Sequence, residues 1–163
     1  MKEKIEINKA RFEDIQEIIS LIDELFIEEN KYYDVAIRRY KTPSKNRNQI
    51  LIKRLKYQIR SSNVFIYVAK INGKVVGYIE GNCSKQDSTF INKKVGRFNN
   101  VVVTKNKRGL GISKLLYSEL KKWFKEKGCE IEELDVLVKN PAKKIYEKWG
   151  YRPVYVDMRK PIK

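Results

Sequence analysis

Histidine is missing from all 163 residues. That removes Ser–His and Cys–His nucleophilic pairs, imidazole metal ligands and imidazole as a general base. Any acid–base work falls to carboxylates, tyrosine, lysine, water or a bound cosubstrate, and no metal is expected. Cysteine is scarce. Cys83 and Cys129 show no framework spacing and read as reduced bystanders, with one mutual disulfide as the alternative. No apolar run is long enough to span a bilayer, and no N-terminal signal pattern occurs. The expectation is a soluble, cytoplasmic chain with no membrane partner.

Acidic residues are also in deficit, 20 against 36 lysines and arginines, for a net charge of +16. Such a balance fits an anionic ligand, an acidic partner or nucleic acid, and equally a solvated lysine-rich surface. What is present in quantity is apolar material: 42% hydrophobic and 11% aromatic residues. A chain of this length and composition is expected to fold as one domain, residues 1–163, around a real core.

Periodicity orders the chain. Ile5-Glu6-Ile7 alternates as a strand. Ile15, Ile18, Ile19, Ile22, Leu25 and Phe26 recur on one helical side behind Glu13 and Asp14. From Lys31 to Arg60 basic residues crowd against a single acid, Asp34, with Tyr32, Tyr33, Tyr40 and Tyr57 between them. Thr42-Pro43-Ser44 marks a loop there, and Ile50, Leu51, Leu55 and Ile59 a helix beyond it. Val64 to Ala69 and Val75 to Glu80 flank Asn72-Gly73 as a hairpin. Cys83 to Lys94 is polar, a loop or a distorted strand end. Arg97 to Thr104, Ile131 to Val138 and Tyr151 to Met158 read as further strands. The expected order is β-α-α-β-β-β-α-β-α-β, a mixed sheet with helices in the α/β or α+β class.

The stretch from Val101 to Tyr151 organises the rest. A β-branched run, Val101 to Thr104, leads through Lys105-Asn106-Lys107-Arg108-Gly109-Leu110-Gly111 into an amphipathic segment, Ile112 to Lys127. Ile112, Leu115, Leu116, Leu120, Trp123 and Phe124 share its apolar face, and Gly128 ends it. A glycine turn at a helix start leaves backbone N–H groups unpaired where the helix dipole favours an anion, and Lys107 and Arg108 add charge. The turn reads as a pyrophosphate cradle. Asn140-Pro141 then opens a short helix with Ile145, Tyr146 and Trp149 on one face, closed by Gly150.

Arg108-Gly109-Leu110-Gly111-Ile112-Ser113 resembles the R/Q-x-x-G-x-G/A signature of the GNAT superfamily of acetyl-CoA-dependent N-acetyltransferases. Asn140 to Tyr151 is similar to its second signature, N-x-A-x-x-Φ-Y-x-x-x-G-F/Y, where Φ is apolar. The resemblance covers Phe98 to Tyr151; the hairpin and first helix match more loosely, and Lys31 to Arg60 is not covered. It implies a mostly antiparallel twisted sheet flanked by helices, and acetyl-CoA as acyl donor. The backbone of Arg108, Gly109, Leu110, Gly111, Ile112 and Ser113 would hold the pyrophosphate. Val101, Val102 and Val103 would bond the pantetheine arm through strands that splay, Asn140 would bond the arm or simply cap its helix, and Ala142 would sit beside it. Ser113 departs from the usual Gly/Ala but stays small. Tyr146 takes the place of the general acid that serves the departing thiolate, or else is a core tyrosine.

The place of the family's usual glutamate base is occupied by Asn99, which cannot accept a proton. Glu80 and Asp135 are substitutes, as is a water relay. An α-amine of pKa about 8 is neutral in about one molecule in ten at pH 7, a lysine of about 10.4 in well under one in a thousand. A missing base therefore favours a weakly basic amine, on a small molecule or a protein N-terminus. The basic segment Lys31 to Arg60 suits an acceptor with acidic groups, or a protein docked on nucleic acid, rather than a polycation, and equally reads as charges that solvate a helix pair. Two other readings are a nucleic-acid-binding module, for which no readout motif occurs, and a non-catalytic acyl-CoA sensor. A homodimer is compatible with such folds.

Overall fold

A computed structural model describes residues 3–85 and 94–162. Of the polar segment expected between Cys83 and Lys94, residues 86–93 lie outside the described residues, and Cys83 to Lys85 are strand. Among the described residues five strands form one sheet in chain order: β1 Ile5–Lys9, β2 Val64–Ile71, β3 Lys74–Lys85, β4 Lys94–Val103 and β5 Cys129–Glu133. The first four are antiparallel neighbours, and β5 lies parallel to β4. Asn72 and Gly73 take φ of 51° and 78°, the positive pair that a tight hairpin turn requires.

Helices α1 Ile15–Glu29, α2 Val35–Arg38 and α3 Arg47–Arg60 connect β1 to β2. Ile15, Ile18 and Ile19 of α1 and Leu51 and Leu55 of α3 are buried with Ile66, Val68, Tyr78 and Val102 of the sheet. The opposite face is covered by α4 Ile112–Glu126, whose Ile112, Leu116, Leu120 and Phe124 bury against Phe65, Ile79 and Phe98. Each such fully buried side chain contributes about 1.5–3 kcal/mol. Leu115, expected on that face, is exposed, and Tyr117 is buried instead. Helix α5, Ala142–Lys148, brings Tyr146 and Trp149 against the same cluster. No helix among the described residues is long and apolar enough to cross a membrane.

Two expected strands differ. The strand read over Ile131 to Val138 is the shorter β5, and Tyr151 to Met158 is not a strand. β propensity is realised only with a ladder partner and a face to bury. Here Pro153 lacks an N–H, and Val154 and Met158 are 87% and 89% exposed. The two thiols are neighbours, with Cys129 Sγ 3.1 Å from Cys83 Sγ.

Gly96 of β4 lies under the ring of Phe124: an added Cβ would stand 2.7 Å from ring carbons. Gly96→Ala should therefore cost about 1–3 kcal/mol, read as a lower urea midpoint. An unchanged midpoint would show that this core layer yields freely.

Candidate functional site

The site is built on β4. One side of this strand is paired with β3 from Lys94 to Val103. The register slips once, from Gly81 opposite Phe98 to Glu80 opposite Asn100, which leaves Asn99 as the extra residue of a β-bulge. On the other side the ladder to β5 stops at Arg97 and Glu133, and the strands part. Thr104 N–H donates to Val76 O at 2.9 Å. Strand alternation then turns the N–H and C=O groups of Val103 and Val101 away from β3, toward the gap.

The gap is a cavity of about 420 Å³. Its walls come from Asn99 to Val103, from Lys107, Arg108, Gly109, Gly111, Ile112 and Ser113, from Asn140 to Ala142 with Ile145, Tyr146 and Trp149, and from the end of α1. Every residue expected at a cofactor lines it except Leu110, whose side chain is exposed.

Local sequence explains the turn. Gly109 and Gly111 take φ of 82° and 77° with open space where a Cβ would stand, so glycine is needed for conformation rather than clearance. The first turn of α4 closes with Leu115 N–H on Gly111 O at 3.1 Å, and the amides ahead of it have no intrahelical acceptor. The Arg108 side chain folds back, its Nε donating to Val103 O at 3.0 Å, and ties the turn to the strand. Lys107 is held by Glu3 at 2.6 Å.

Tyr146 reaches the cavity from α5. Asn140 Oδ1 accepts from Ala142 N–H at 2.9 Å and fixes the start of this helix. Phe98, Trp149 and Tyr151 meet the Tyr146 ring edge to face at 5.8, 5.8 and 6.2 Å. Behind it, the hydroxyls of Tyr117 and Tyr151 both donate to Glu132 Oε2, at 2.7 and 2.8 Å. The Tyr146 phenol is pushed up to about 12, first by desolvation and then by the negative charge of Glu29.

The expected acids separate. Asp135 lines the cavity but is bonded to Arg97. Glu80, 4% exposed, lies off the cavity wall. It accepts from Gln58 Nε2 at 2.8 Å and faces Arg54 at 3.8 Å, which pins α3 to the sheet. Asn99 donates to Asn82 Oδ1 at 2.9 Å.

Residues of α1 were missed: Leu25, Glu28 and Glu29 line the cavity, with Tyr32 just beyond. A signal existed. The last turn of α1 carries acids and no base, against the helix dipole, at about 0.3–1 kcal/mol each. Outside them, a second hollow of about 400 Å³ lies between Phe26, Asn30 and Val35 on one hand and Arg38, Arg39, Lys41, Thr42 and Pro43 on the other. Three other cations of the basic segment are engaged, Lys31 by Glu28, Arg47 by Asp23 and Arg60 over the Phe12 ring, and Arg54 faces Glu80. Arg38 and Arg39 have tyrosine partners but no carboxylate among the described residues, and Lys41 stands over the Tyr33 ring within the field of Glu29.

Residues 62–153 match the family described as Acetyltransferase (GNAT) domain. An uncharacterized N-acetyltransferase of Methanocaldococcus jannaschii is 36% identical over 88 residues, 53% of this chain and 51% of the relative. The chain thus spans about half the length of the curated relative it matches. Among solved structures, an aminoglycoside N-acetyltransferase in complex with CoA superposes with a TM-score of 0.77 at 12% identity, covering 99% of this chain and 97% of that one. Glucosamine-6-phosphate N-acetyltransferase from Arabidopsis thaliana gives 0.73 at 21% identity, covering 99% and 100%. At these identities the likeness is one of fold.

An ordinary phenol ionises near about 10. A difference titration in the ultraviolet between the protein and Tyr146→Phe should therefore show no phenolate from Tyr146 in that range, only above it. A Tyr146 signal near the ordinary value would place its hydroxyl in open water.

Proposed function

The chain belongs to the GNAT acetyltransferase family, and we propose that it transfers an acetyl group from acetyl-CoA to a primary amine of an acceptor that also carries an anionic group. The reading rests on one observation: the unpaired edge of β4, the free amides of the glycine turn and the Tyr146 hydroxyl open onto a single cavity. Unpaired backbone groups need partners, and an extended amide-bearing arm can supply them as an added strand does. The residues fit such a ligand. Val101 and the Val103 N–H would pair with the pantetheine amides, the Val103 carbonyl already accepting from Arg108, and the amides from Gly109 to Ser113 would take the pyrophosphate. Asn140 and Ala142 flank the arm.

Bound there, acetyl-CoA supplies an activated acyl thioester for direct attack by the amine in a ternary complex. The chain does the rest. Tyr146 donates a hydrogen bond to the sulfur as it gains charge. With the phenol near 12 and a thiol near 8.5, full proton transfer from tyrosine is uphill by about 5 kcal/mol. Tyr146 thus acts as a fixed donor that remains protonated. The acceptor's anionic group would meet Arg38 and Arg39, cations of the outer hollow that have no carboxylate partner among the described residues, with Lys41 beside them. The neighbours named for aminoglycoside and glucosamine-6-phosphate acetylation suggest acceptors for a test.

Calorimetry should detect acetyl-CoA binding to the protein, and Gly111→Val should weaken it by about tenfold or more, because a β-branched residue resists φ near 77°. Tyr146→Phe should bind acetyl-CoA normally and release thiol about 10–100-fold more slowly. With glucosamine 6-phosphate, glucosamine and kanamycin as acceptors, kcat/KM should favour the phosphate ester by about tenfold, and Arg38→Ser with Arg39→Ser should erase the preference. Equal use of kanamycin would remove the anionic group from the reading.

A further inference from the structure

The cavity holds one acid that nothing else uses. Glu29 ends α1 and lines the same wall system as Tyr146 and Asn99. Its carboxylate makes no hydrogen bond or ion pair with any described residue, which is unusual in a chain of net charge +16. The other cavity acids are engaged: Glu28 by Lys31 and by Tyr32, Asp135 by Arg97. Glu80 is locked behind the bulge.

We propose that Glu29 is the general base of the acetyl transfer, taking the proton from the acceptor's ammonium group at the mouth of the cavity. The proposal rests on the acetyltransferase reading above and adds to it the residue that Asn99 cannot replace. The acceptor's R–NH3⁺ first pairs with the Glu29 carboxylate and then gives it one proton. The freed nitrogen lone pair forms the C–N bond at the acyl carbon as the C–S bond breaks. A second proton, lost from nitrogen, ends on sulfur while the Tyr146 hydroxyl keeps its own proton and donates a hydrogen bond to the sulfur, and the Glu29 proton leaves to solvent. The products are the amide, the free thiol and one H⁺.

The surroundings suit this role. Desolvation raises the Glu29 carboxyl above the ordinary glutamate value, which makes it a stronger base, while Lys41 pulls the other way and keeps the rise limited. Three groups feel its charge or act on it. Lys41 approaches from the turn after α2, and Tyr146 and Tyr78 are close enough for its charge to oppose their ionisation. Both phenols therefore stay neutral, and neither competes for the proton. As pH rises through its elevated pKa, Glu29 becomes the carboxylate that can accept, so activity should grow with pH on this limb.

The test compares the protein with Glu29→Gln and Glu29→Asp, using glucosamine 6-phosphate as acceptor and calorimetry with acetyl-CoA as a control for folding and donor binding. Glu29→Gln should bind acetyl-CoA within about twofold and lose about 100-fold or more in kcat/KM near neutrality. The loss should shrink by about tenfold per pH unit as the amine deprotonates by itself, and Glu29→Asp should recover part of the rate. Separately from turnover, carbon NMR of ¹³C-carboxyl glutamate should show one resonance, absent in Glu29→Gln, that titrates above the ordinary range. A Glu29→Gln rate that runs parallel to the parent at every pH, or one altered only in KM, would overturn the proposal while leaving the transferase reading intact. Absence of acetyl-CoA binding in the parent protein would remove the reading itself, and the proposal with it.

Discussion

A strand that loses its partner halfway along its length is the constraint from which the rest follows. β4 and β5 are bonded as far as Arg97 and Glu133 and then separate. From that point one edge of β4 runs without a ladder inside the body of the fold, where unpaired N–H and C=O groups are costly. Such an edge persists only if the surrounding packing holds the strands apart. That packing is visible. The Asn99 bulge re-aims β4. Arg97 binds Glu133 and Asp135 and fixes the point of separation. Trp149 stacks on Tyr117 at 4.3 Å, and the Tyr117–Glu132–Tyr151 bonds hold the far side.

The open edge would be a mere crevice without the turn that follows it. β4 delivers the chain into Lys105–Lys107, and the two glycines allow α4 to start with its amides toward the same space. The anchoring of α4 lies elsewhere, in Leu116, Leu120 and Phe124 against the sheet. Stability and site are thus divided along one helix: its first turn faces the cavity, and its later turns hold it still.

Much of this was legible in the sequence because it is local. The turn from Arg108 to Ser113 and the Asn140 to Tyr151 segment carry their geometry in consecutive residues, through glycine conformation, an Asn-Pro helix start and helical spacing. Glu29 was not legible as a site residue. It reaches the cavity only because the α1 layer packs over β3 and β4, a relation between residues about 70 apart in the chain. The ion pairing of the basic segment was not legible for the same reason. Read alone it faces a single acid, Asp34, yet the fold brings Glu28, Asp23 and Glu80 to Lys31, Arg47 and Arg54. The final strand failed because Val154 to Met158 has alternation without a partner.

The missing histidine then bears on the chemistry more sharply than composition alone suggests. Acyl transfer to an amine needs one group that accepts a proton and one that stabilises negative sulfur. Imidazole can alternate between such roles near neutral pH; the residues here cannot. A phenol raised to about 12 can only donate, and a carboxylate at the cavity can only accept once ionised. The two roles must therefore sit on different side chains. In the proposed reading Tyr146 on α5 and Glu29 on α1, which line one cavity, would take them. The first also depends on the second: the charge of Glu29 is one reason Tyr146 stays protonated. Proton acceptance by Glu29 would relax that pressure on Tyr146 at the moment sulfur becomes anionic, so the donor's hydrogen bond can strengthen as it is required.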